Sequence, residues 1–144
     1  MNVQGILQAK GADVVTIRPD ATVAELVAGL NGERIGAMVV SEDGEGVDGI
    51  VSERDVVRAL AALGSRAVEQ RVAEIMTRSV RTCAPTDSVK WLMELMTTHR
   101  IRHVPVVADG RLVGIVSIGD VVKNRLDEMA TEVSVLREAY LGAR

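Results

Sequence analysis

A seven-residue stretch that occurs twice limits what this chain can fold into. Gly49-Ile50-Val51-Ser52-Glu53-Arg54-Asp55 returns 65 residues later as Gly114-Ile115-Val116-Ser117-Ile118-Gly119-Asp120, and two valines follow each time. The β-branched Ile-Val pair favours a strand, and Ser is a preferred helix N-cap. Asp three residues further on falls in the first helical turn, where a negative charge complements the helix dipole. One Ser-x-x-Asp is explained in full as a shortened capping box. Two in the same frame of a longer repeat are not, and an internal repeat dictates architecture before any local propensity does.

A shift of 66 lays Val14 on Val80, Thr16 on Thr82, Pro19 on Pro85, Val23 on Val89, Leu26 on Leu92, Arg34 on Arg100, Ile35 on Ile101 and Val40 on Val106. After the Asp43-Gly44 and Asp109-Gly110 turns the shift drops to 65, so the first repeat carries one extra residue there. The repeats span roughly 12–61 and 78–126, and each reads β-α-β-β-α. A short strand (14–17; 80–83) runs into a proline, whose fixed φ ends it. A helix follows, capped by Thr22 with Glu25 as its capping box, and Val23, Leu26, Val27 and Leu30 form its apolar stripe. Ser88, Val89, Leu92, Met93 and Met96 repeat the pattern. Residues 37–40 with 49–52, and 104–107 with 112–117, then form hairpins, and the second helix of each repeat starts after its Ser. Val3, Ile6 and Leu7 ahead of the first repeat, and Val72, Ile75 and Met76 ahead of the second, each mark a short amphipathic helix.

Composition closes off several classes. Hydrophobic residues make up 47% and charged residues 26% of the 144, which places the chain among globular proteins rather than disordered ones. With one Trp, one Tyr and no Phe, the core is aliphatic. A net charge of −3 without a basic run argues against nucleic acid. No stretch reaches 18 apolar residues and residues 1–10 lack a signal-peptide pattern, so neither a membrane span nor export is expected, and the location expected is the cytoplasm. Gly44-Glu45-Gly46-Val47-Asp48-Gly49 satisfies the dinucleotide-binding glycine pattern, but a strand follows it instead of the helix N-terminus that the pyrophosphate needs. It reads as a hairpin turn. Cys83 with His99 or His103 is a weak nucleophile–base pair, since a lone Cys on a β-branched strand is more often core. No further His or Cys stands at zinc spacing, and neither catalysis nor a metal site is expected.

Laid out this way, the chain resembles a tandem pair of CBS domains, the cystathionine β-synthase type repeat, also called a Bateman module, of the small stand-alone bacterial kind. The resemblance covers about residues 3 to 126. It rests on the two Gly-x-x-Ser-x-x-Asp stretches and on Thr98-His99-Arg100-Ile101-Arg102-His103-Val104-Pro105-Val106. It implies an α/β (α+β) fold in which two β-α-β-β-α repeats pack about a pseudo-two-fold and leave two clefts for adenosine-containing ligands. AMP comes first among these, with ATP, ADP, NAD(H) and S-adenosylmethionine as the others. One cleft, A, would take Ser52, Arg54 and Asp55 with Thr82, Cys83, Ile101, Arg102 and His103. The other, B, would take Ser117 and Asp120 with Thr16, Ile17, Ile35, Gly36 and Ala37. The Asp would accept the ribose hydroxyls, strand backbone would read the adenine edge, and Ile35 or Ile101 would pack on its face. Cleft A would be the cationic one, through Arg54, Arg102 and His103, where cleft B has Gly119, Gly36 and Ala37.

Three segments follow: 1–66 as the first repeat with its N-terminal segment, 67–126 as the second with its linker helix, and 127–144 as a C-terminal helical extension. On that extension Val122, Leu126, Met129, Val133, Leu136 and Tyr140 step as a heptad seam, which predicts a homodimer held partly through it. The function expected is a non-catalytic, cytoplasmic regulator that senses adenine nucleotides and acts on an unidentified target protein. The alternative is a protein-interaction adaptor whose clefts are vestigial.

Overall fold

The computed structural model describes residues 1–142. Its elements run α1 (Val3–Lys10), β1 (Thr16–Ile17), α2 (Val23–Glu33), β2 (Ala37–Val40), β3 (Gly49–Ser52), α3 (Glu53–Leu63), a 3-10 turn (Gly64–Glu69), α4 (Val72–Ile75), α5 (Val89–His99), β4 (His103–Ala108), β5 (Arg111–Ser117) and α6 (Ile118–Gly142). Residues 143 and 144, the end of the expected extension, lie outside the described residues.

The capping signals act as read. Thr22 Oγ1 accepts from the Glu25 amide at 3.1 Å while Glu25 returns a bond to the Thr22 amide at 3.3 Å, and Ser88 Oγ accepts from the Trp91 amide at 3.0 Å. Both helices stop alike. Arg34 and Arg100 adopt left-handed backbone, and the next amide reaches back to Leu30 and Met96, which closes orphan carbonyls. In the first repeat β1, β2 and β3 form one sheet, parallel then antiparallel, with Ala37 opposite Ser52. The second repeat keeps the β4–β5 hairpin, with His103 opposite Ser117, but its expected strand 80–83 shrinks to one parallel bridge from Cys83 to Val106. Tight turns on both sides cut it short: the Val80 amide bonds the Arg78 carbonyl, and the Ala84 amide bonds Asp87 Oδ2.

Packing regroups the chain. Val3, Ile6 and Leu7 of α1 are buried with Cys83, Leu92, Met96, Val104, Val116 and Val121, in the core of the second repeat. Val72 of α4 is buried with Val23, Leu26, Met38 and Val51, in the core of the first. The segment ahead of each repeat therefore belongs to the other repeat's core, and the 1–66 and 67–126 division by sequence is not the division by packing. The physical reason is shared by both. A sheet covered by helices on one side leaves an apolar slot, and a short helix arriving from outside the repeat fills it. Glycine makes the room: a Cβ on Gly114 would stand 2.6 Å from Leu7, and one on Gly49 would stand 2.7 Å from Met76.

Of α6, only Val121 is buried. Beyond it Val122, Leu126, Met129, Val133 and Leu136 are all exposed, between 47% and 69%. Among the described residues no helix is long and apolar enough to cross a membrane.

Candidate functional site

Each Ser-x-x-Asp closes on itself at the start of a helix. The Ser52 amide donates to Asp55 Oδ2 at 2.8 Å, and the Ser52 hydroxyl donates to the same oxygen at 3.2 Å. In the second repeat the Ser117 amide donates to Asp120 Oδ2 at 2.8 Å, and the Asp120 amide donates to Ser117 Oγ at 3.2 Å. Each helix start is pinned to its own repeat's strand entry, because the Glu53 amide bonds the Gly36 carbonyl at 3.0 Å and the Ile118 amide bonds the Arg102 carbonyl at 2.8 Å. The two aspartates are thus held in matching, half-buried positions, and every bond recorded to them falls on Oδ2.

Where the repeats meet, strand entry faces strand entry. A Cβ on Gly36 would lie 3.5 Å from the His103 imidazole and 3.7 Å from the Glu53 carboxyl. His103, half-buried, sits in the fields of Asp120, Glu53, Lys10 and Arg102. Burial dominates and pushes its pKa below 6.5, although Asp120 and Glu53 pull it upward. Burial thus disfavours the imidazolium in the cationic set expected of cleft A, whose other members, Arg54 and Arg102, are exposed.

The remaining predicted residues divide by how their backbone is used. The Cys83 amide bonds the Pro105 carbonyl, and its carbonyl accepts from Val107, so Cys83 has no backbone group left for an adenine edge. Its thiol lies in the core and is pushed up to about 12 by burial, with Asp87 adding to the shift, which also removes it as a nucleophile. The Ile17 carbonyl is likewise bonded by Ser41. Because successive residues of a strand point their polar groups to opposite edges, the preceding Thr16 and Thr82 are the ones turned outward. Ile35 and Ile101 are half-buried, each packed against the core of its own repeat. Ala37 is buried opposite Ser52.

Two concavities border these residues. One of about 510 Å³ lies between α2 and α3 and takes Ile35, Gly36 and Glu53 together with Val27, Leu30, Val56 and Val57. The other, about 540 Å³, brings Asp55 together with Arg58, Gln70, Ile75 and Thr77. Asp55 is the one predicted cleft A residue on its wall.

One side chain beside the second Ser-x-x-Asp was not foreseen from the sequence. Lys10 Nζ lies 2.7 Å from Asp120 Oδ2 and donates to the Ile115 carbonyl at 2.8 Å. Asp120, expected in cleft B, therefore has a cation beside it, supplied from α1. Burial alone would raise the pKa of Asp120, but the bonds from Lys10 and Ser117 outweigh it and hold the carboxyl below its usual 3.8. The signal was present. Lys10 stands seven residues after Val3 and four after Ile6, so it continues the buried stripe of α1 with a charge. Among the described residues, no group of His, Cys, Asp and Glu could hold a metal ion.

The comparisons agree with this geometry. The CBS domain family matches residues 10–62 and 72–127. A mitochondrial CBS domain-containing protein of Arabidopsis thaliana, CBSX3, is 38% identical over 126 residues, which are 85% of this chain and 61% of that protein, so this chain spans less than two thirds of that relative. The crystal structure of the CBS-domain containing protein ATU1752 from Agrobacterium tumefaciens superposes with a TM-score of 0.83 at 46% identity, over 86% of this chain and 92% of that one. The CBS domain pair of protein MJ0100, solved in complex with 5′-methylthioadenosine and S-adenosyl-L-methionine, superposes with a TM-score of 0.78 at 28% identity, over 89% and 98%. The family match over both repeats, which interlock and each hold a Ser-x-x-Asp pinned to a strand entry, places this chain in the CBS domain family.

Proposed function

We propose that this chain is a regulatory module, not an enzyme, that binds an adenosine-containing ligand in the clefts between its repeats. The observation that carries the reading is the pair of aspartates in matching first turns. Asp55 and Asp120 are each anchored through Oδ2 by the amide of their own serine. A carboxylate fixed in this way is suited to a ribose cis-diol, and the free amides of a helix start suit a phosphate. The MJ0100 pair, solved with two adenosyl ligands, supports the ligand class. In this reading cleft A uses Ser52, Asp55, Thr82 and Ile101 with Arg54 and Arg102 for phosphate, and cleft B uses Ser117 and Asp120 with Thr16, Ile35 and Gly36. AMP is the ligand expected first.

The test is thermal denaturation with AMP, ADP, ATP, NAD, NADH, S-adenosylmethionine and adenosine. A ligand at 100 times its Kd stabilises by roughly 2.7 kcal/mol. Asp55→Asn keeps the shape of the cap and removes the charge, and Arg102→Ala should weaken AMP more than adenosine, because adenosine lacks the phosphate. Silence toward every ligand at millimolar concentration sinks the reading. The adaptor alternative draws its support from α6, whose exposed Met129, Val133 and Leu136 ask for a protein partner. In our reading that partner is first a second copy of this chain, in a homodimer.

A further inference from the structure

The two flanking helices dock alike and end differently. At their starts the Val3 amide bonds the Asp87 carbonyl and the Gln4 amide bonds Pro85, just as Val72 bonds Ala21 and Ala73 bonds Pro19. α4 stops after four residues, and the chain then runs extended so that Thr77 exchanges backbone bonds with Ile50 in both directions, at 2.9 and 3.0 Å. α1 continues for eight residues, about one turn longer, and that turn carries Lys10. The carbonyl of Ile115, the counterpart of Ile50, is met by the Lys10 ammonium at 2.8 Å where the first repeat uses backbone. The same ammonium takes Asp120 Oδ2 at 2.7 Å. Among the described residues no cation bonds Asp55, which borders an open concavity. So the repeats close equivalent strand edges by different means, and in one of them the closure also occupies the carboxylate.

We infer that Lys10 is a latch on cleft B: it occupies the carboxylate a ribose must take, and it yields to ligands that offer its ammonium a negative group in exchange. This rests on the reading that the clefts bind adenosyl ligands. A cis-diol that uses both oxygens of Asp120 meets Oδ2 already bonded by Lys10 and by the Ser117 amide. The amide is fixed in the helix cap, so the ammonium is the group that moves. Its four-carbon stem swings freely, and a phosphate gives it a charge-assisted bond of comparable strength. Neutral adenosine gives it nothing, and S-adenosylmethionine offers a single carboxylate beside two positive charges, which leaves it net positive. The latch thus selects phosphorylated ligands in cleft B, whereas cleft A lacks it.

The experiment is calorimetric titration of the full chain carrying Asp55→Asn, which silences cleft A, with AMP and with adenosine. Lys10→Met and Lys10→Arg are compared in that background, with circular dichroism to confirm folding. The latch requires the two ligands to move in opposite directions in Lys10→Met: AMP weaker by about tenfold, adenosine tighter by several-fold. Lys10→Arg keeps the preference for AMP. Parallel weakening of both ligands, or no change in either, overturns the latch while leaving cleft B a nucleotide site. If no variant, with Asp55 intact or not, binds any adenosine compound, the ligand reading fails and takes the latch with it.

Discussion

His103 sits where charges from both repeats converge. Burial disfavours its imidazolium, Asp120 and Glu53 favour it, and Lys10 and Arg102 oppose it again. The net effect is a folded-state pKa below 6.5, so the unfolded chain binds more protons between that value and 6.5, and folding stability must fall as pH falls through this range. Urea denaturation at pH 7.5, 6.5 and 5.5 should show this loss, and His103→Gln, which cannot titrate, should flatten its share of it. An unchanged slope in His103→Gln would mean that the imidazole is not desolvated at the repeat junction. Asp120 adds a second loss at lower pH. Its depressed pKa contributes stability that is present above the usual carboxylate range and disappears as pH falls below 3.8. Lys10→Met should shrink that second loss, and it should also lessen the His103 loss, because it removes one of the charges that disfavour the imidazolium.

At the scale of elements, the interlock depends on two glycines. On Gly49 a new Cβ would meet Met76 Sδ at 2.7 Å and the Thr77 carbonyl at 2.9 Å, and on Gly114 it would meet Leu7 Cδ2 at 2.6 Å. Overpacking of this kind costs about 1–3 kcal/mol. Gly49→Ala should cost more than Gly114→Ala, because backbone of a bonded bridge yields less than the end of a leucine side chain. Denaturant midpoints of the two variants check the order, and the reverse order would show that α1 is held more rigidly than α4. Leu7→Ala should restore part of the space in Gly114→Ala, so the double variant should cost less than the sum of the single ones. The short strand at Cys83 belongs to this scale too. Its sequence carries β-branched residues, but turns on either side leave it one bridge long.

For the molecule as a whole, the unresolved demand is the far half of α6. Its last core residue is Val121, and twenty-one more residues of helix follow with Met129, Val133 and Leu136 exposed. A homodimer covers such a face by two-fold symmetry. Sedimentation of the full chain at micromolar concentration should give a dimer, and truncation after Glu128 or Val133→Glu with Leu136→Glu should give monomers that still bind nucleotide. A truncated chain that sediments as an unchanged dimer moves the interface to the repeats. A full-length monomer removes the dimer altogether. The repeat plan, the capped helices, the hairpins and the Ser-x-x-Asp positions were legible in the sequence because each follows from contacts within a few residues: a cap, a stripe, a turn. What the line of residues did not disclose is which repeat each flanking helix completes, that burial lowers the pKa of His103, and that Lys10 reaches Asp120 across 110 positions of chain. Those depend on distances between residues far apart in sequence, and only the closed tertiary structure decides them, since burial, field and reach exist once the two repeats have packed.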